Sequence, residues 1–164
     1  MLLRGSCHCG NVRFEVQSSE PYPFNRCYCS ICRKTAGGGG YSINLGGDHD
    51  TMVVDGEDHL GIYQATITNP DTGKEEQSPA QRHFCSNCGS ALWVWDPRWP
   101  KLVHPFASAI DTDLPLPPEY THMMLGSRAN WVDVPADPGD KYFDEYPDES
   151  LAAWHERLGL MQEE

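Results

Sequence analysis

Seven cysteines fall into three short clusters with none left over: Cys7-His8-Cys9, Cys27-Tyr28-Cys29-Ser30-Ile31-Cys32 and Cys85-Ser86-Asn87-Cys88. Any fold that the chain adopts has to bring these thiols to something that uses them. Two, three and two thiols at such spacings are the arithmetic of metal binding. A four-plus-three partition gives one closed site and one with a free coordination position, because structural zinc takes four protein ligands and catalytic zinc takes three plus water or substrate. The odd count also argues against a disulfide scaffold. The first residues, MLLRGSCHCGNVRF, lack the apolar core of a secretion signal, so reduced thiols in a cytoplasmic protein are expected.

The clusters differ in what each can do. In an extended strand, residues i and i+2 project from one face, roughly 6.6 Å apart at about 3.3 Å per residue, so the C-x-C pair suits a strand and His8 then points the other way. Cys85 and Cys88, with Gly89 behind them, read as a knuckle whose tight turn aims backbone N–H groups at the sulfurs. Neither pair completes a tetrahedron alone; joined, they give four thiolates and tie the N-terminal strand to the middle of the chain. The C-x-C-x-x-C cluster supplies three thiolates from one loop of six residues. Either a distant residue closes that site, with His83, His104 and His122 as candidates, or solvent does. Arg33 and Lys34 follow directly and can lower thiol pKa values or attract an anion.

At 164 residues, 39% of them hydrophobic, the chain suits one globular domain with a modest core. Thirteen prolines and fifteen glycines favour turns and short strands over long helices. There is no stretch of about 18 apolar residues, so no membrane span is expected. The net charge of −12 disfavours a nucleic-acid partner, since an acidic protein repels phosphate. Its distribution is uneven. Residues 137–164 hold nine Asp and Glu against Lys141 and Arg157, whereas residues 1–34 carry five basic side chains against Glu15 and Glu20. The segment with five of the seven cysteines is therefore locally basic and leaves room for a small anionic substrate.

Val12, Phe14 and Val16 alternate with Arg13 and Glu15 as in a half-buried strand. Further strands are predicted at Tyr41–Leu45, Met52–Val54, Leu60–Ile67, Ala91–Trp95, Leu102–Ile110 and His122–Val134. Pro70-Asp71-Thr72-Gly73 reads as a turn, with proline and glycine setting its backbone angles. The four-glycine run Gly37–Gly40 lacks the lysine of a phosphate loop and suits a close backbone approach. One helix is predicted, at the C-terminus, capped by Asp148 or Ser150 and with Leu151, Trp154 and Leu158 on one face. With few apolar residues to dock it, that helix and the irregular acidic connector 136–147 read as a peripheral appendage. The tryptophans Trp93, Trp95, Trp99 and Trp131, with Phe106, read as core and rim aromatics.

Three segments carry a resemblance. Gly5-Ser6-Cys7-His8-Cys9-Gly10-Asn11-Val12-Arg13-Phe14, Cys27-Tyr28-Cys29-Ser30-Ile31-Cys32-Arg33-Lys34 and Phe84-Cys85-Ser86-Asn87-Cys88-Gly89-Ser90-Ala91-Leu92 resemble the glutathione-dependent formaldehyde-activating enzyme/centromere protein V family. His122 to Val134, with Gly126-Ser127-Arg128 and Trp131, is similar to that family's last strands. The resemblance covers residues 3–135 and leaves 136–164 as an acidic connector and C-terminal helix. It implies a mainly β fold, a β-tent of small antiparallel sheets around zinc. It further implies two zinc ions per chain: a structural one on Cys7, Cys9, Cys85 and Cys88, and a catalytic-type one on Cys27, Cys29 and Cys32. The implied activity is that of a carbon–sulfur lyase joining formaldehyde to glutathione, with a small thiol and a small aldehyde as partners. Tyr28 and His83 are the candidates for a general base. A non-catalytic zinc module for protein interaction, using the acidic tail as contact surface, is the alternative.

Overall fold

A computed structural model describes residues 1–162 of the chain. Alternation decides the first hairpin. β1 (Leu2–Ser6) and β2 (Arg13–Gln17) pair antiparallel, Leu3 opposite Val16 and Gly5 opposite Phe14, so Leu3, Phe14 and Val16 go inward while Arg13, Glu15 and Gln17 face out. Gly5 has to be glycine, because a Cβ there would stand 2.4 Å from the Phe14 ring and 2.6 Å from the Ala109 carbonyl oxygen.

After the hairpin come β3 (Asn25–Cys27), a helix α1 (Ser30–Ala36), β4 (Ser42–Ile43), β5 (Gly47–Asp48), β6 (Val53–Asp55) and β7 (Leu60–Tyr63). β8 (Thr66–Thr68) and β9 (Glu75–Gln77) make a separate two-stranded hairpin around the expected turn. Asn69 tightens that turn, its side-chain oxygen accepting from the N–H groups of Asp71 and Thr72. β10 (Gln81–Cys85), β11 (Ala91–Trp95) and β12 (Leu102–Pro105) form the centre of a five-stranded antiparallel sheet in the order β5-β12-β11-β10-β7. β6 joins β2 at the edge of the first sheet. The main core lies between these two sheets and contains Leu3, Val12, Phe14, Val16, Leu45, Leu92, Trp93 and Val103, with Cys7 and Cys85 at its margin. Phe14 meets Trp93 edge to face at 5.1 Å.

The remaining sheet contains β13 (Thr121–Met123) and β14 (Lys141–Tyr142), in the order β14-β13-β3-β4. The mainly β class and the small antiparallel sheets are as expected, except that β13 runs parallel to both β3 and β14. The expected strand His122–Val134 stops at Met123, where a 3-10 turn over Leu125–Ser127 takes the chain away. Leu60–Ile67 divides into β7 and β8, and Leu102–Ile110 gives way to a 3-10 turn after Pro105.

The tail is not peripheral. β14 lies inside the supposed irregular connector and extends the sheet. The last helix, α2 (Leu151–Leu158), is capped by Ser150, whose hydroxyl accepts from Ala153 N–H at 3.1 Å. Trp154 is fully buried and stacks on Phe24 at 3.8 Å, its indole N–H donating to Glu119 at 3.1 Å. Arg157 bridges Glu119 and Glu149. A count of apolar residues underestimated the docking, because one tryptophan meeting an aromatic face supplies it. Among the described residues no helix is long and apolar enough to cross a membrane.

Candidate functional site

Two sulfur clusters form. The first gathers Cys7, Cys9, Cys85 and Cys88, whose sulfurs all lie within 4.8 Å of one another. Cys7 and Cys9 sit in the β1–β2 turn rather than on a strand, because Gly10 N–H closes that turn onto the Cys7 carbonyl. Cys85 ends β10, and Gly89, with φ at +75°, completes the knuckle. Four sulfurs about 2.3 Å from one tetrahedral ion stand about 3.8 Å apart; Cys7 and Cys9 lie at 3.5 Å, Cys9 and Cys85 at 3.7 Å. Val12 N–H donates to the Cys7 sulfur at 3.2 Å, and the backbone of Cys88 and Asn87 serves Cys85. Burial pushes the Cys85 thiol up to about 11, whereas the Ser90 hydroxyl and backbone hold Cys88 down at about 5. Four soft donors converging with backbone N–H support fit a zinc ion and leave no open position.

The second cluster is Cys27, Cys29 and Cys32. It is built on a strand-to-helix junction, not on a loop. Cys27 ends β3, Cys29 is the N-cap of α1, its sulfur accepting from Cys32 N–H at 3.3 Å, and Cys32 lies in the first turn. Arg33 and Lys34 fall in the last turn, where positive charge suits the helix C-terminus. Gly37–Gly40 closes the helix, with Gly40 N–H donating to the Gly37 carbonyl at 2.9 Å. Among the described residues no histidine or carboxylate joins the three sulfurs as a fourth ligand. Bonds from Cys27 and Cys29, with the Arg82 guanidinium beside them, hold the Cys32 thiol at about 2, while bonding to Cys29 and Cys32 together with burial pushes Cys27 up. Three thiols this close ionise together only around a cation, and their donor set fits zinc with one position to spare.

Register places the surroundings. Arg82, Val94 and His104 are cross-strand partners on β10, β11 and β12, so they lie in one row on one face of the five-stranded sheet. That face meets the three-sulfur cluster: an Arg82 guanidinium nitrogen lies 3.6 Å from the Cys32 sulfur. His104 Nδ1 lies 3.0 Å from the Leu45 carbonyl oxygen, which can only accept, so Nδ1 carries the proton and Nε2 is left with a lone pair. Burial holds this imidazole below its ordinary range, against the pull of Asp96 and the Cys32 sulfur.

Beside the cluster lies a cavity of about 650 Å³. Asn25 and Met123 form one wall, and Trp99, Leu102 and His104 a second. The segment Tyr146–Ala152 forms a third. Asn25 shares a strand face with Cys27, and Met123, the register partner of Cys27, both lines the cavity and packs with Cys27 and Cys32, so the cavity adjoins the sulfur cluster across Met123. The Asn25 side-chain oxygen is itself buried and has no hydrogen-bond partner. A larger hollow, about 730 Å³, runs over β1 and β2; its surface charges include the exposed Arg4–Glu15 pair, and Cys7 there belongs to the four-sulfur cluster.

The other expected residues go elsewhere. Tyr28 is buried between two cysteines of the cluster, its hydroxyl 2.8 Å from His122 Nδ1, and His122 Nε2 lies 3.1 Å from Asp140. The carboxylate fixes the proton on Nε2, so Tyr28 donates to Nδ1 and the pair anchors the backbone between Cys27 and Cys29. His83 lies on the opposite sheet face, stacked on Trp93 at 4.9 Å. Neither faces the cavity. Residue-type reasoning missed Arg82, Met123 and Tyr146. Strand period offered a signal for Arg82 alone, since it alternates with His83 ahead of Cys85.

A small β protein with one closed and one three-thiol metal-type centre is the class that the fold and the clusters define. A family model described as "Glutathione-dependent formaldehyde-activating enzyme" matches residues 2–126. A Halomonas elongata protein described as "Putative glutathione-dependent formaldehyde-activating enzyme" is 65% identical over 160 residues, 98% of each chain. A crystal structure of a Rhodobacter sphaeroides protein superposes with a TM-score of 0.51 at 24% identity, covering 68% of this chain and 91% of that one, a likeness of fold. The chain belongs to the glutathione-dependent formaldehyde-activating enzyme family.

Proposed function

We propose that the chain is a carbon–sulfur lyase that reversibly joins a small thiol, glutathione in the first instance, to formaldehyde, giving S-hydroxymethylglutathione. The observation that carries the reading is the three-sulfur cluster without a fourth protein ligand, set against a cavity large enough for a small organic ligand. Cys27, Cys29 and Cys32 would hold a catalytic-type zinc, and Cys7, Cys9, Cys85 and Cys88 a structural one, two ions per chain. When bound at the first of these, zinc supplies an open position that acidifies a thiol and stabilises its charge. Arg82 offsets the negative charge that gathers on the sulfurs, and Asn25 and Met123 line the approach. The thiol sulfur bonds to the aldehyde carbon, the carbonyl π bond opens onto oxygen, and the thiol proton ends on that oxygen, with no change in oxidation state.

The family match and the name of the Halomonas relative support the same chemistry. The interaction-module alternative loses its main support, since the acidic tail packs into the fold instead of standing free. The test is direct. Zinc-loaded protein should contain two ions per chain, and added glutathione should alter the spectrum of a cobalt ion substituted at the three-cysteine site. Formaldehyde should then be consumed only with thiol present. One metal per chain, or a spectrum indifferent to thiol together with no thiol-dependent consumption, would return the chain to the interaction-module reading.

A further inference from the structure

The reaction moves a proton from sulfur to oxygen, and none of the groups bound to the three-sulfur cluster can take it. The cysteines of that cluster are committed to the metal, Arg82 has no lone pair to offer, and Tyr28 spends its hydroxyl on His122. His104 differs from each of these. It lines the cavity, its Nδ1–H is anchored on the Leu45 carbonyl at 3.0 Å, and Nε2 is the one polar ring atom left to meet a ligand. It shares a cross-strand row with Arg82, which touches Cys32.

We propose that His104 Nε2 takes the proton of the incoming thiol and returns it to the aldehyde oxygen. The inference rests on the proposed function and adds its acid–base residue. In the forward direction the S–H bond breaks with its proton going to Nε2. The sulfur lone pair forms the S–C bond, and the π pair of the carbonyl goes to oxygen, which recovers the proton from the imidazolium. Nothing is oxidised or reduced, and the ring returns to its starting tautomer. The Cys32 sulfur and the Asp96 carboxylate, the latter paired with Arg98, act on His104, and Glu20, Tyr146, Asp148 and Glu149 are the other titratable groups that line its cavity. Burial keeps the ring neutral and able to accept, and the negative groups around it stabilise the imidazolium once formed. A fixed carbonyl anchor on the far nitrogen is the usual way a protein selects which imidazole nitrogen does the work.

His104→Gln keeps a donor for the Leu45 carbonyl but cannot shuttle a proton; His104→Ala empties the place. Both are compared with wild type after cobalt substitution, which reports whether the three-cysteine centre is intact. General acid–base catalysis typically supplies about 10²–10⁴-fold, so kcat/KM for glutathione plus formaldehyde should fall at least about 100-fold with the cobalt spectrum unchanged. Added imidazole should restore part of the rate to His104→Ala and none to wild type. Glutathione binding in weak buffer should release more protons from His104→Gln than from wild type, because the wild type retains one on the ring. Wild-type rates in His104→Gln, equal proton release, or a loss that imidazole leaves untouched would each overturn the assignment. No thiol-dependent consumption by wild type itself would instead sink the proposed function beneath it.

Discussion

Trp154→Ala tests whether the C-terminal segment belongs to the functional domain. The side chain is fully buried, stacked on Phe24 at 3.8 Å with an interplanar angle of 6°, and its indole N–H reaches Glu119. Truncating a buried aromatic to alanine costs about 3–5 kcal/mol through lost transfer energy and the cavity left behind. The lost hydrogen bond adds little on top, because Glu119 keeps Arg157 and Lys141 and is not stranded. A loss of about 4 kcal/mol follows, and for a chain of this length that is roughly 8–16 °C in Tm. Urea denaturation of the zinc-loaded protein, followed by circular dichroism and by fluorescence, should show one transition moved to lower denaturant. Trp154→Phe should recover much of the loss, since a phenyl ring can still stack on Phe24. Because Tyr146–Ala152 wall the cavity, the KM for thiol should also rise in Trp154→Ala. A midpoint shift worth less than about 1 kcal/mol, the size of a surface change, would refute the docking argument.

The two sulfur clusters should fail differently. Cys7→Ser removes a ligand from the margin of the main core and should leave the chain unfolded or metal-depleted by circular dichroism, because structural metal binding is folding energy. Cys29→Ser should retain a near-native melt, since a serine hydroxyl also caps helices, yet hold one zinc fewer by elemental analysis and lose activity; similar melting of the two variants would count against separate roles. Arg82→Gln removes the cation beside Cys32 and should weaken thiol binding about 10-fold, roughly the value of one charge-assisted hydrogen bond, with Arg82→Lys intermediate in a cobalt titration. His155 is buried with Nδ1–H on the Leu151 carbonyl and Nε2 accepting from Tyr22 N–H, so it is held neutral and burial lowers its pKa. The unfolded chain therefore binds more protons. The contribution of His155 to stability should be complete above about pH 6.5 and fall as pH drops toward the folded pKa. His83 and His104, also held low by burial, add slopes of the same sign, so His155→Gln should make the slope shallower in denaturation curves without removing it.

What could be read from the sequence was whatever depends on local spacing. The three cysteine motifs, the alternation of β2, the run Ala91–Trp95, the turn after Asn69 and the Ser150 cap are each decided within a few residues. α1 escaped because its cap is a cysteine sulfur, which no helix-start rule anticipates, and because a seven-residue helix carries little periodicity. The C-x-C turn escaped for a related reason: strand and turn both allow two sulfurs to converge, and the Gly10 hydrogen bond decides between them. The docking of Trp154 on Phe24 and the row Arg82–Val94–His104 are set by pairings between distant segments, which residue counts do not encode.

The same distinction separates the two metal-type centres. Cys7 and Cys9 come from a turn between one pair of strands, and Cys85 and Cys88 from a knuckle between another, so closing that site fixes the relative placement of two sheets. Two of its ligands, Cys7 and Cys85, are buried with that core and cannot move without it. Cys27, Cys29 and Cys32 come from one junction of six residues, and the sheet behind them is already held by β13, β14 and the Tyr28–His122–Asp140 bonds. The fold does not need that centre to complete a tetrahedron. The cavity beside it takes its third wall from Tyr146–Ala152, beyond the family match, so the proposed substrate position is bounded in part by the C-terminal segment that Trp154 docks.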